Sequence, residues 1–366
     1  MKQRMQCGTW LFISAAALAL ILVFLPGDPT LIQQSKRVAT LDAVLRTHCL
    51  WVTDHTAIYL RYRRDDSGYE LARIDTLTGK VTPMEALNRK YSAMMKWPGS
   101  WGKSFNIKGE RISYWMPLHG VSSDGKWLVF STPTTRTADR THPGSFVFTT
   151  LDGTKELRWQ AGTFFSAIPL WMQDGHRWVE PIYELKRGMI LTAIVVHDLD
   201  RPQVDKSLPV VGAARNIGVF GVTVTDQLAG TEWFRHGTGM PVSPAEFVTC
   251  DVPGLSSSAP GNLHRYQVNL PEGTSSDHMI ISPHGDRLAW HLTVRRTTWI
   301  DALIHRILPS KPLRSDDRQE IWVSNLDGSH MTRIGYNSNL FQVQWLPGGK
   351  QLSFLYRDGL YTVPVP

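Results

Sequence analysis

Residues 121–130 read VSSDGKWLVF. A short apolar strand end runs into an Asp-Gly turn, and an alternating strand leaves it. Asp-Gly favours a hairpin because both turn positions tolerate φ > 0. Almost the same sentence returns at residues 281–290, ISPHGDRLAW. A hairpin written more than once means that the chain is assembled from copies of one unit.

Further copies align on the strand before the turn. They are residues 50–60 (LWVTDHTAIYL), 170–179 (LWMQDGHRWV) and 343–354 (VQWLPGGKQLSF). Three of the five copies are followed by a second hairpin, seen best in residues 320–334, EIWVSNLDGSHMTRI, and again in residues 69–80 and 146–157. The stretch between the copies near 171 and 281 is about twice the usual spacing and has room for one more unit. Residues 216–225 and 263–270 are its best strand candidates, which brings the expected count to six. Four short antiparallel strands per unit, repeated around a ring, make a β-propeller, because packing sheet on sheet buries faces that one sheet cannot bury alone. In residues 126–130, Trp127 and Val129 point to one side and Leu128 and Phe130 to the other. Both sides are apolar, as a strand covered on both faces requires.

The stretches VSSDGKWLVF and ISPHGDRLAW with EIWVSNLDGSHMTRI resemble the repeat of TolB-type, WD40-like six-bladed propellers over about residues 48–366. The resemblance implies the all-β fold of four-stranded blades. It implies no activity, since this propeller occurs in periplasmic scaffolds and beside peptidase domains alike. The last unit supplies three strands, so a fourth is needed to close the ring. Residues 37–45, RVATLDAVL, are the natural donor; the other reading of this stretch is a plain linker.

The N-terminus carries a different signal. Lys2 and Arg4 precede a charge-free run over residues 5–27, with the core WLFISAAALALILVFL at 10–25. About 20 apolar residues span a bilayer as a helix, and basic residues before the span keep its N-terminus in the cytoplasm. No small-residue cleavage site follows the apolar core, which favours an uncleaved anchor over a signal peptide. The expected layout is a cytoplasmic tail at 1–8, a single-pass signal anchor at 9–27, a linker or closing strand at 28–47, and an extracytoplasmic propeller, periplasmic or extracellular, at 48–366. Insertions fall near 83–111, 132–144 and 295–318. Cys49 and Cys250 read as two buried thiols or as a pair.

With 366 residues, 42% hydrophobic and 19% charged, the chain is globular. Its net charge of +7 comes without a dense Lys/Arg run, so no nucleic-acid partner is expected. Propellers bind through loops at the ends of the channel, and the insertions are therefore the candidate sites. In the first, Thr82 to Glu85 reads as a capping box opening a helix to about Met95. Trp97 and Trp101 follow beside glycines, as a stacking surface or as a plug over the blades. In the third, Trp299, Ile300, Leu303, Ile304, Ile307 and Leu308 share one helical face, and Arg295, Arg296 and Arg306 flank it. That face packs on the propeller, lies on lipid, or receives a partner helix. Trp97, Trp101, Trp299, Leu303 and Arg306 are the candidate binding residues.

No G-x-S-x-G, H-E-x-x-H, Walker or G-x-G-x-x-G pattern occurs. His197, Asp198 and Asp200 are metal-ligand types, but VVHDLD ends a strand and reads as a turn. No cofactor, metal or catalytic residue is assigned. The expected function is a membrane-tethered scaffold for an envelope protein or peptide. The alternative is a hydrolase or lyase with a site assembled from loops at the channel mouth.

Overall fold

Strands form where the repeat places them, and their edges decide the architecture. The computed structural model describes residues 30–41, 49–62, 69–91, 105–107, 110–113, 118–131, 134–136, 141–142, 145–160, 169–185, 189–202, 206–215, 217–223, 227–232, 245–251, 261–271, 274–296, 306–307, 316–337 and 340–366. The chain is an all-β propeller of small antiparallel sheets. The first unit pairs Leu50–Thr53, Thr56–Tyr62, Tyr69–Asp75 and Val81–Pro83 in order. The second pairs Leu118–Val121, Trp127–Ser131, Ser145–Thr150 and Glu156–Gln160. The fifth pairs Thr274–Ile281, Arg287–Arg296, Asp316–Asn325 and Thr332–Asn337.

The sheet count departs from the expected six separate blades. Five sheets are four-stranded, and one is eight-stranded. The stretch from Leu170 to Val268 forms that single large sheet because Lys206–Arg215 runs parallel to Gly261–Val268 through two rungs, Val210 with Gly261 and Val211 with Asn262. A further small sheet joins Phe105–Ile107 and Glu110–Ser113 to Thr134–Arg136 and Thr141–His142, so the first two insertions pair with each other.

The last sheet is Phe341–Trp345, Gln351–Tyr356 and Gly359–Pro364, and its fourth strand is Lys36–Thr40. Lys36 lies opposite Thr362 and Thr40 opposite Gly359. Just before this strand, the Leu31 N–H donates to the Tyr336 carbonyl at 2.7 Å, and the Leu31 side chain is fully buried. The Gly348 N–H donates to Asp54 Oδ1 at 2.7 Å, which joins the last unit to the first. The expected membrane span at 9–27 lies outside the described residues. Among the described residues, no helix is long and apolar enough to cross a membrane.

Apolar cores lie between successive units. Leu128 and Phe130 pack with Leu50, Ile58 and Leu71 of the first unit, while Val129 packs on the other side with Phe148, Trp159 and Trp178. The alternation of residues 126–130 therefore divides one strand between two cores. Met172 and Ile194 meet Val222 and Leu228, and Ala229 and Val268 meet Met279 and Trp290. Leu31 joins Ile321, Val343 and Phe354, and Ala39 joins Trp51, Tyr59 and Leu355. Full burial of each such side chain is worth about 1.5–3 kcal/mol relative to exposure.

Two local expectations are corrected. The repeat turn is not a two-residue turn with both positions at φ > 0. Gly125 donates its N–H to the Ser122 carbonyl at 2.8 Å, and only the glycine is left-handed, at φ 74°. Gly175, Gly285 and Gly349 repeat this bond to Met172, Ser282 and Leu346. It is a four-residue turn closed by a left-handed glycine, the type I-based loop that comes next in frequency after the two-residue hairpin turns. Thr82 is likewise not a helix cap, because it pairs with Arg73 in the first sheet. The helix is the short segment Glu85–Lys90, entered from Met84 without a side-chain cap.

Candidate functional site: the inner turns and two buried polar clusters

Each repeat turn joins the first strand of its unit to the second. These turns touch in sequence. The Ser123 hydroxyl donates to the Met172 carbonyl at 2.8 Å, and a Cβ on Gly175 would stand 2.7 Å from the Asp124 carboxyl carbon. Gln173 reaches the Val222 carbonyl at 3.4 Å, and Arg287 donates to the Gly349 carbonyl at 2.8 Å.

Their carboxylates are spent on the turns themselves. Asp124 accepts from the Ser122 hydroxyl at 2.6 Å and from the Lys126 N–H at 3.1 Å. Burial pushes this carboxyl up, but the Ser122 hydroxyl and Lys126 outweigh it and hold it below the ordinary value. Asp174 accepts the N–H groups of His176 and Arg177, both at 2.9 Å. The first strands of the units place Leu50, Trp51, Val343 and Trp345 in the cores between units, and they also carry polar residues, among them Ser275, Asp277, His278, Gln342 and Gln344.

Away from the axis, the structure gathers two clusters that sequence spacing did not announce. In the third unit, His197 Nε2 lies 3.3 Å from Glu180 Oε2, with both side chains about nineteen-twentieths buried. The His197 ring stacks on Trp178 with centroids 3.8 Å apart, and Trp159 meets Trp178 edge-on. Trp178 and His197 are cross-strand partners, and Glu180 is two residues along the same face. VVHDLD ends its strand in a turn, as the sequence reading has it. Asp198 Oδ1 accepts the Asp200 N–H at 2.9 Å in a turn, while His197 faces inward. Among the described residues, no group of three or more His, Cys, Asp or Glu is placed to hold a metal ion.

The fifth unit buries Glu320. Its Oε1 accepts from Arg318 at 2.9 and 2.8 Å and lies 3.6 Å from Arg333, and its Oε2 accepts from Trp322 Nε1 at 2.9 Å. The Arg318 guanidinium also sits 4.0 Å over the Tyr336 ring, beside the Leu31 attachment. No spacing in the sequence revealed what Glu320 would meet.

A third group works on the surface. Glu156 accepts from Tyr91 Oη at 2.7 Å and from Arg158 Nε at 2.6 Å, with Lys90 Nζ at 3.0 Å. Partial burial raises this carboxyl, but the Tyr91, Arg158 and Lys90 bonds prevail and bring it down to about 2 from 4.5. A carboxyl depressed on folding adds stability above its unfolded value, and that stability fades as the pH falls toward the folded value. Glu156→Gln is therefore expected to reduce stability at neutral pH and to flatten its loss between about pH 4.5 and about 2, read by denaturant unfolding across that range.

Of the candidate binding residues, Trp97, Trp101, Trp299 and Leu303 lie outside the described residues. Arg306 is exposed in a short helical segment with Ile307. Cys49 is a free thiol, and burial pushes its pKa up to about 12.

No family model matches this chain, and no curated protein matches it. Solved structures do. A tricorn protease is 12% identical over 89% of this chain and 30% of its own, with a TM-score of 0.45. TolB from Acinetobacter baumannii is 11% identical over 85% of this chain and 64% of its own, at 0.44. A putative TolB from Agrobacterium tumefaciens is 13% identical over 87% and 90%, at 0.43. The chain thus spans under two thirds of the first two. An oligogalacturonate lyase and prolyl endopeptidases stand among the same neighbours.

Proposed function

We propose that this chain is a membrane-tethered, extracytoplasmic scaffold whose six-bladed ring presents its insertions to an envelope protein or peptide. The observation that carries the binding reading is the state of the inner turns. The Asp124 and Asp174 carboxylates bond to their own turns and to neighbouring side chains. A catalytic centre at that mouth needs titratable groups aimed at a substrate.

Six blades fit the cores. Each of six apolar clusters lies between two successive units, and the cluster of Ala39, Trp51 and Leu355 joins the last unit to the first. In this reading, the two-rung parallel ladder is a seam between the third and fourth blades. The sheet made by the first two insertions stands outside the ring. The tether reading rests on the charge-free run at 5–27.

Site-specific photo-crosslinking of the full chain in its own membranes tests the scaffold. Probes at Trp97 and Trp101 are expected to give a discrete adduct, and a probe at the exposed Leu77 none. If the loop probes give no adduct and the purified chain cleaves a peptide or polysaccharide, the enzyme reading replaces this one.

A further inference from the structure

We infer that Asp358–Gly359 is a site of spontaneous isoaspartate formation, and that the modification unfastens the strand closing the ring. An aspartate followed by glycine is the pair most open to this chemistry, because the glycine nitrogen attacks the carboxyl with no side chain in its way. The chain holds five such pairs, beginning at Asp124, Asp152, Asp174, Asp327 and Asp358. Their surroundings set the last apart from the rest.

In the first four the carboxylate is pinned inside its own turn. Asp124 Oδ1 accepts the Lys126 N–H at 3.1 Å, and Asp152 Oδ1 accepts the Thr154 N–H at 3.0 Å. Asp174 Oδ1 accepts the His176 N–H at 2.9 Å, and Asp327 Oδ1 the Ser329 N–H at 2.9 Å. Cyclisation also runs through the protonated acid. At Asp152 the Thr150 hydroxyl, and after it the Thr154 N–H, bring the carboxyl down to about 2 from 3.8, which slows that pair further.

Asp358 has no such backbone bond. Among the described residues its carboxylate meets Arg37 alone, at 3.1 Å, and the two side chains are 66% and 44% exposed. An exposed ion pair restrains its partners weakly. The residue before it adds strain. Arg357 and Asp358 form the two-residue loop between Tyr356 and Gly359, and Arg357 sits at φ 53°. Loops of this length take φ > 0 at their first position, which suits glycine and is unfavourable for a longer side chain.

The reaction needs only water. The Gly359 nitrogen bonds to Asp358 Cγ, its proton and the carboxyl hydroxyl leave together as water, and a five-membered imide stands in the backbone. Water then returns to one of the two imide carbonyls. When it breaks the bond from the α-carbonyl to nitrogen, the chain runs through Cγ, one methylene longer, and the former α-carbonyl becomes a free carboxylate. That carbonyl is the acceptor of the Leu41 N–H at 2.7 Å, and Gly359 beside it lies opposite Thr40. The longer loop relaxes Arg357, and the closing strand loses its last attachments.

The test ages the purified full chain in mild detergent at neutral pH and body temperature. An isoaspartyl carboxyl methyltransferase then places a labelled methyl group on each isoaspartate, and peptide mapping locates it. Label at 358 is expected to exceed that at each of the other four pairs several-fold. In urea the five should label about evenly, because all share the same Asp-Gly chemistry. Limited proteolysis within residues 30–41 is expected to quicken as the parent ages and to stay constant in Asp358→Glu, whose carboxyl could close only a less favourable six-membered ring. Even label across the five pairs in the folded chain, or the same preference for 358 in urea, overturns the site without recourse to any variant. Label at 358 with unchanged proteolysis overturns the effect on the closing strand, as does equal quickening in Asp358→Glu.

Discussion

Trp178→Ala is expected to destabilise the folded chain by about 3–5 kcal/mol, the range for truncating a buried aromatic. Trp178 is fully buried between the second and third units. It touches Phe146 at 5.9 Å, Phe148 at 5.0 Å, Trp159 at 5.8 Å and His197 at 3.8 Å, measured between ring centroids. Its removal empties the middle of that core and takes the stacking surface from His197 while Glu180 stays buried beside it. The neighbours are held by two separate sheets, so the cavity closes poorly. Trp178→Phe keeps a ring in place and should recover most of the loss. Chemical denaturation of the three proteins measures it as a drop in the midpoint at unchanged slope. A midpoint for Trp178→Ala within the error of the parent would overturn the assignment of this core.

Glu320→Ala is expected to cost a similar amount, about 3–5 kcal/mol, by the mechanism of a broken buried ion pair. Glu320 is 2% exposed and faces both Arg318 and Arg333. Without it, the Arg318 guanidinium stays largely buried over Tyr336 and loses Glu320 Oε1, the one oxygen that both its Nε and Nη2 contact. The damage is also local in a readable way, because the Tyr336 carbonyl receives Leu31. Amide exchange at Leu31 and proteolysis within residues 30–41 should accelerate more than exchange in the second unit. Uniform acceleration across all units would show that Glu320 supports the sheet but not the attachment.

Much of the ring was legible because its signals are local. Alternation in 126–130 told which residues face apart, and left-handed glycines marked the turns even though the turn type differed. The weak fourth unit was found only as a gap, yet strands at Ile217–Val222 and Gly261–Val268 lie close to the two stretches singled out. What escaped is non-local. Nothing near Val210 announces that it will run parallel to Gly261, and a pair of rungs is enough to merge two units into one sheet. VVHDLD was legible as a strand end and turn, but nothing in it shows that His197 meets Glu180 on the adjacent strand. Thr82 looked like a helix cap because its spacing to Glu85 was right, but a sheet edge claimed it first.

The strand Lys36–Thr40 is completed by Gly359–Pro364, and this sets an order of events during synthesis. The closing strand is among the earliest parts of the propeller to leave the ribosome, and its partner is among the latest. Until then Ala39 and Leu41 have no sheet to join, and the edge of the first unit that will meet the last stays uncovered. Contacts so distant in sequence form slowly, because the entropy of closing the loop is lost before they can repay it. The nascent chain must therefore keep an apolar strand and an open blade edge from pairing elsewhere until the last unit has been made.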